Sequence, residues 1–287
     1  MLGAAGAIGF SGKAIIVKLA YRYDVDAVTL LMYRMLFALP LFLGLAWWAG
    51  RGKPRLLPKE WAMLAGLGFC GYYLSSFLDF AGLQYITASL ERLILYLNPT
   101  LVLFLNAWLF KIRIQTRHWV ALGLSYAGVV VVFGHDVSMG GPDAALGAGL
   151  VFASAVSYAV YLALSGQWVA RFGALRLTGI ATSFACLFCI AQFFVLRPVS
   201  AMHVAPEVIT LSLLNATLCT FLPVLLVMLA IERIGAGPAA QVGMVGPLST
   251  ISMGILILGE PFTVWIALGT VLVLGGIWWL ARARPSR

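Results

Sequence analysis

Apolar residues run through this chain in stretches of about twenty, each closed by a short segment rich in charge, proline or glycine; that is the length a helix needs to cross a hydrocarbon core of roughly 30 Å. Ten stretches fit the pattern: residues 1–20, 27–49, 61–84, 86–110, 118–134, 145–169, 176–196, 208–232, 235–259 and 262–281. The first starts at the first residue, with no basic segment ahead of it and no cleavage site after it, so a retained helix is expected rather than a signal peptide.

The pattern repeats. Ile86-Thr-Ala recurs as Ile234-Gly-Ala, Pro99 as Pro247, and Trp119-Val-Ala-Leu-Gly123 as Trp265-Ile-Ala-Leu-Gly269, in the same order and at a separation of 146 to 148 residues. Each half holds five stretches, an odd number, so the second copy must enter the membrane the other way up. The expected fold is an all-α integral membrane protein of ten transmembrane helices, arranged as two inverted five-helix repeats over 1–134 and 145–281, with a basic cytoplasmic tail at 282–287. The matched prolines, Pro99 and Pro247, are candidate hinges, with a static packing kink as the alternative. Gly3, Gly6, Gly9 and Gly12 give the first helix a face for close packing.

Composition agrees with lipid as the solvent. Of 287 residues 62% are hydrophobic and 10% charged, which leaves no room for a soluble domain. The net charge of +9 reads as topology. With the N-terminus in the cytoplasm, thirteen cations fall inside: Arg51, Lys53, Arg55, Lys59, Lys111, Arg113, Arg117, Arg171, Arg176, Arg233, Arg282, Arg284 and Arg287. Three fall outside, Lys18, Arg22 and Arg197. Trp47, Trp48, Trp61, Trp108, Trp119, Trp168, Trp278 and Trp279 cluster near the same inner ends, where indole rings anchor at headgroups of the membrane lipids. Both termini are therefore expected inside, and no nucleic-acid partner is implied. Cys70, Cys186, Cys189 and Cys219 all lie in apolar runs, so packing is the expected role even for the C-x-x-C pair.

Five ionisable residues interrupt the apolar stretches: Lys13, Arg34, Asp79, Glu91 and Arg92. Each costs about 2.5 to 3.5 kcal/mol at a bilayer centre even on the mild insertion scale, so the set needs a reason. Counted from the outer ends at 1.5 Å per residue, all five fall roughly 7 to 11 Å below the outer boundary, on four helices. Gathered around a shared interior they form a candidate solute site. Helical spacing adds Tyr72, Ser75 and Ser76 on the face of Asp79, Asn98 after Glu91, and Tyr96 after Arg92. The bland alternative is a buried ion network that fixes helix packing, with snorkelling for Lys13 and Arg34. The repeat offset places Val227, Ala239 and Ala240 opposite Asp79, Glu91 and Arg92, which confines the charge to the first half.

The segment Phe80-Ala-Gly-Leu-Gln-Tyr-Ile-Thr-Ala88, leading into Leu90-Glu-Arg-Leu-Ile-Leu-Tyr-Leu-Asn-Pro-Thr100, resembles the EamA-like permeases of the drug/metabolite transporter superfamily. So do Leu258-Gly-Glu-Pro261 and the glycine-rich last helix. The resemblance implies ten helices, inverted repeats and export or exchange of small metabolites across a bacterial-type cytoplasmic membrane, without implying one substrate. One departure stands out: the Gly-Glu after the ninth stretch has no counterpart after the fourth, where Phe110-Lys-Ile-Arg113 stands.

These readings lead to a secondary transporter that moves a small polar or zwitterionic metabolite by alternating access. Arg34 and Arg92 are expected to bind an anionic group, Lys13 to tune the site, and Asp79 or Glu91 to carry a coupling proton. A membrane-embedded enzyme and a structural or sensory membrane protein are the alternatives. Against the enzyme, His118, His135 and His203 lie at unrelated stretch ends, so neither catalytic residues, a metal site nor a cofactor is expected.

Overall fold

The computed structural model describes residues 2–111, 116–140, 143–234 and 245–282. Among these the chain is helical with no strand. In chain order the helices are α1 (Leu2–Tyr21), α2 (Ala27–Gly50), α3 (Pro58–Gly82), α4a (Ala88–Leu95), α4b (Asn98–Phe110), α5 (Thr116–Gly140), α6 (Asp143–Phe172) and α7 (Ala174–Leu196). After a short turn at Val199–Met202 come α8a (Pro206–Ala216), α8b (Leu222–Ile234), α9 (Val245–Leu258) and α10 (Val264–Arg282).

Seven of these rods are long and apolar enough to cross a membrane, and three shorter apolar helices, Trp119–His135, Val245–Leu258 and Val264–Trp279, coincide with the other three stretches. Helices α5 and α6 outrun their apolar stretches, because backbone hydrogen bonding continues past the point where hydrophobicity stops. The segment 235–244, which carries Ala239 and Ala240 and part of the repeat, lies outside the described residues. So do Arg113, Arg284 and Arg287, and the side chains of Arg117, His118, Arg233 and Arg282.

Local chemistry sets the helix ends. Asp26 caps α2, its carboxylate accepting the N–H groups of Val28 at 2.9 Å and Thr29 at 3.2 Å. Pro58 starts α3 at a position that needs no N–H, and Glu60 reaches back to accept the Leu57 N–H at 2.8 Å. Glu60 is also paired with Arg171 at the end of α6. Gly259, at φ +75°, ends α9 in the left-handed region that favours glycine.

Three rods contain a wider turn: Phe69–Leu74 in α3, Thr217–Phe221 between α8a and α8b, and Gly254–Leu258 in α9. Such π turns disrupt the regular hydrogen-bond ladder and occur often at functional sites. The first two begin 148 residues apart, the offset at which the sequence motifs recur. The expected fourth span is also broken, at Tyr96–Leu97, just ahead of Pro99, which cannot supply an N–H to the preceding turn.

Packing follows small residues. A Cβ on Gly6 would meet Val227 Cγ2 at 2.8 Å, and one on Gly9 would meet Pro223 Cγ at 2.7 Å, so the glycine face of α1 seats against α8b. Gly128 of α5 and Gly269 of α10 approach equally closely. Helix α2 packs on α7, α5 on α10, α1 on α8b and α9, and α6 on α3 and both parts of α4. Cys186 and Cys189 are buried among apolar side chains, with Cys186 Sγ 3.7 Å from Met35 Sδ.

Candidate functional site

The helices surround a cavity of about 480 Å³. Nine of the ten site residues expected from sequence line it: Lys13, Arg34, Tyr72, Ser75, Ser76, Asp79, Arg92, Tyr96 and Asn98. The tenth, Glu91, is fully buried one layer behind, where its Oε1 lies 3.4 Å from Lys13 Nζ. Lys13 thus bridges two acids from α3 and α4a, holding Asp79 Oδ2 at 2.5 Å on the cavity side.

Among the described residues, neither arginine has a carboxylate within ion-pair distance. Arg92 donates from Nε to Thr250 Oγ1 and from Nη2 to the Phe10 carbonyl, both at 2.8 Å, which ties α4a to α9 and α1. Arg34 is 3% exposed and lies over the Phe80 ring, 5.0 Å from its centroid. Its Nη2 makes a long 3.4 Å contact with Ser76 Oγ, and its Nε and Nη1 have no partner among the described residues. Desolvating a guanidinium without satisfying its N–H groups is costly, by several kcal/mol in general, unless something else supplies the acceptor. Asp79 Oδ1 and Asn98 Oδ1 are likewise buried without a partner, and both residues line the cavity.

The serines are partly spent on the scaffold. Ser75 Oγ donates to the Gly71 carbonyl at 2.5 Å, and Ser154 Oγ on α6 donates to the Ser75 carbonyl at 2.7 Å across the widened turn of α3. Tyr72 meets Tyr158 and Tyr161 of α6 edge-on, at ring-centroid distances of 6.2 and 5.1 Å, forming an aromatic wall. Of the two candidate hinges, Pro99 is exposed in the first turn of α4b and Pro247 is buried near the start of α9.

Several lining residues were not expected from sequence: Phe10 on α1, Ser154 and Tyr158 on α6, and Cys219, Thr220, Val224 and Val227 on the eighth rod. All of them but Ser154 follow one offset. Gly71, Tyr72, Ser76 and Asp79 on α3 line the cavity, and so do the residues exactly 148 positions later, Cys219, Thr220, Val224 and Val227. Phe10 on α1 and Tyr158 on α6 stand in the same relation.

Glu260 has a role that its motif alone did not reveal. It reaches from the turn after α9 to the start of α4a, accepting the N–H of Ala88 at 2.7 Å and of Ser89 at 3.3 Å, and the Ser89 hydroxyl at 2.7 Å. Among the described residues no group of three or more His, Cys, Asp or Glu could hold a metal ion. His203 is exposed beside Ser200, and His135 stacks on Trp265.

Comparison with known proteins agrees with this architecture. The sequence is similar to the uncharacterized transporter YcbK of Bacillus subtilis (strain 168), with 30% identity over 94% of this chain and 86% of the relative. It is 23% identical to an uncharacterized transporter of Archaeoglobus fulgidus, over 94% of this chain and 92% of the relative. A solved crystal structure, 19% identical, superposes with a TM-score of 0.65 over 99% of this chain and 98% of its own length, which shows a shared fold. The EamA-like transporter family matches the sequence twice, over residues 1–134 and 145–282. This chain is an integral membrane protein that belongs to the EamA-like transporter family.

Proposed function

We propose that the protein is a secondary carrier that exports or exchanges a small polar metabolite bearing an anionic group, by alternating access across a bacterial-type cytoplasmic membrane. The observation that carries this reading is Arg34, a buried guanidinium in the wall of a small-molecule-sized cavity with two of its nitrogens lacking an acceptor among the described residues. Arg92 is the second anchor, Lys13 sets the local field, and Asp79 with Glu91 can accept a coupling proton.

Alternating access needs two exchangeable halves, and three findings support an inverted repeat. The family matches twice with a break between 134 and 145. The widened turns at Phe69–Leu74 and Thr217–Phe221 coincide under the repeat offset. Five pairs of lining residues are related by that offset too, so equivalent faces of α3 and the eighth rod look onto one space. The cationic bias puts both termini in the cytoplasm. On α1 the lining runs from Gly3 to Lys13, in the N-terminal half of the helix. In that orientation this is the cytoplasmic half, which supports reading the cavity as inward-facing.

Flux in sealed vesicles tests the reading. Purified protein reconstituted with a mixture of labelled polar metabolites should move at least one of them unchanged, and Arg34→Gln should stop that movement. Chemical alteration of the solute would instead identify an enzyme, and a lack of both flux and binding would leave a structural protein.

A further inference from the structure

The carrier reading specifies an anionic group but neither the net charge nor the body of the solute. Charge and lining together narrow both. Of the side chains facing the cavity, Lys13, Arg34 and Arg92 are cations and Asp79 is the one acid among the described residues. Asp79 is already held by Lys13 at 2.5 Å, and Lys13 also leans on Glu91 behind it. With all five groups ionised the layer sums to +1. In a medium of low dielectric that residual charge is the dominant long-range term, because Coulomb energies there are several-fold larger than in water. A monoanion brings the layer to neutrality. A zwitterion leaves it at +1, a cation raises it to +2, and a dianion reverses it.

Beside the charges the wall carries a few polar side chains, Ser75, Ser76, Asn98, Ser154 and Thr220, set among a larger apolar and aromatic surface. Phe10, Tyr72, Leu95, Tyr158 and Val224 line the cavity, and the tyrosines are already engaged in ring-to-ring contact. Such a surface gains by burying hydrocarbon, at roughly 25 cal/mol per Å² of apolar area removed from water.

We propose that the cavity selects a monoanionic organic acid with an aromatic or branched apolar body, held through its carboxylate by Arg34, in preference to a zwitterion or cation of the same shape. The proposal rests on the carrier reading and narrows the polar-or-zwitterionic class that the sequence suggested. The carboxylate fills the open N–H positions of Arg34 next to Ser76, and the body lies against Tyr72 and Tyr158.

The test uses the full-length protein in detergent and in proteoliposomes, with four labelled probes. 3-Phenylpropionate, phenylalanine and phenethylamine share one body and differ in charge, and acetate keeps the charge without the body. Binding of 3-phenylpropionate should exceed that of phenylalanine by at least about tenfold, a difference of 1.4 kcal/mol, and should exceed that of phenethylamine and acetate by more. Arg34→Gln should abolish it, while Arg51→Gln, on the exposed inner end of α2, should not. If Arg34→Gln does not fold, the wild-type ranking decides alone. Equal or tighter binding of phenylalanine, still lost in Arg34→Gln, overturns the charge class but leaves the carrier standing. Acetate binding as tightly as 3-phenylpropionate overturns the apolar body. Binding or flux of none of the four overturns the inference, and the metabolite-mixture experiment then decides separately whether the carrier reading falls with it.

Discussion

Glu260 accepts the hydroxyl of Ser89 at 2.7 Å, joining residues 171 positions apart in the chain. With the Ala88 and Ser89 N–H groups on the same carboxylate, it satisfies buried donors at the start of α4a that have no partner within the helix, where a negative charge also suits the helix dipole. The helix that carries Glu91 and Arg92 is therefore positioned from the far end of the chain.

Removing this carboxylate should loosen α4a. Glu260→Ala is expected to destabilise the protein by about 1 to 3 kcal/mol, the usual cost of leaving buried donors without a charged acceptor, whereas Glu260→Gln should keep part of the capping. Thermal unfolding of both variants in the same detergent checks this, and equal midpoints for Ala and wild type would contradict the cap. Pro99 and Asn98 lie beyond the break in α4, so the effect should be carried by α4a rather than α4b.

How much of this was legible in the sequence depends on contrast. Lys13, Arg34, Asp79 and Arg92 stand out because a charge in an apolar run carries a cost that must be offset, and their common depth already brings them together. Glu91 stands out equally, but adjacent residues on a helix point about 100° apart, so Glu91 and Arg92 cannot both face the cavity, and which of them does depends on how α4a is rotated. Phe10, Tyr158 and Val224 carry no contrast, since apolar residues in an apolar helix do not reveal which face is lined by lipid and which by a cavity. The repeat offset was the available signal: applied to Tyr72 and Ser76 it points to Thr220 and Val224. The widened turns in α3 and the eighth rod have no compositional mark at all.

Topology can be read directly. A reporter or single accessible cysteine after Lys53 or at Lys111 should label from the cytoplasm, and one at Asp143 from outside, given the thirteen-to-three cationic bias. Cytoplasmic labelling at Asp143 would remove both the orientation and the inverted repeat.

Asp26 lies outside the spans, at the head of α2. Burial pushes its carboxyl up, but hydrogen bonds from the Thr29 hydroxyl and N–H and from Arg197 outweigh that and hold it below its ordinary value of 3.8. A carboxyl depressed by folding contributes stability that is fully present above its unfolded pKa and is lost as pH falls through the folded one. Asp26→Asn keeps a capping oxygen without the charge. Its thermal midpoint should fall less than that of wild type between pH 5 and pH 3, and parallel curves would show that the Asp26–Arg197 contact, at 3.1 Å, contributes no pH dependence.

The last prediction concerns coupling. Lys13 is shared by Asp79 at 2.5 Å and Glu91 at 3.4 Å, so neutralising either acid leaves the lysine a partner in the other. That arrangement differs from an isolated buried ion pair, where removing one member strands the second at a cost of about 3 to 5 kcal/mol. Asp79 faces the cavity, and its loss would alter the solute's own surroundings. Glu91 is buried behind it, held at longer range, and precedes the break in α4 at which a change of state would alter its contact with water. Glu91→Gln is therefore expected to fold, to bind and exchange solute, and to lose accumulation driven by a pH gradient across vesicles, while Asp79→Asn also weakens binding. If both acids serve only to balance the layer, each variant will instead lower stability and every mode of transport together. Accumulation in Glu91→Gln that still follows the pH gradient, at normal expression, would remove the proton from this residue and leave a facilitative carrier with a fixed counter-charge at its centre.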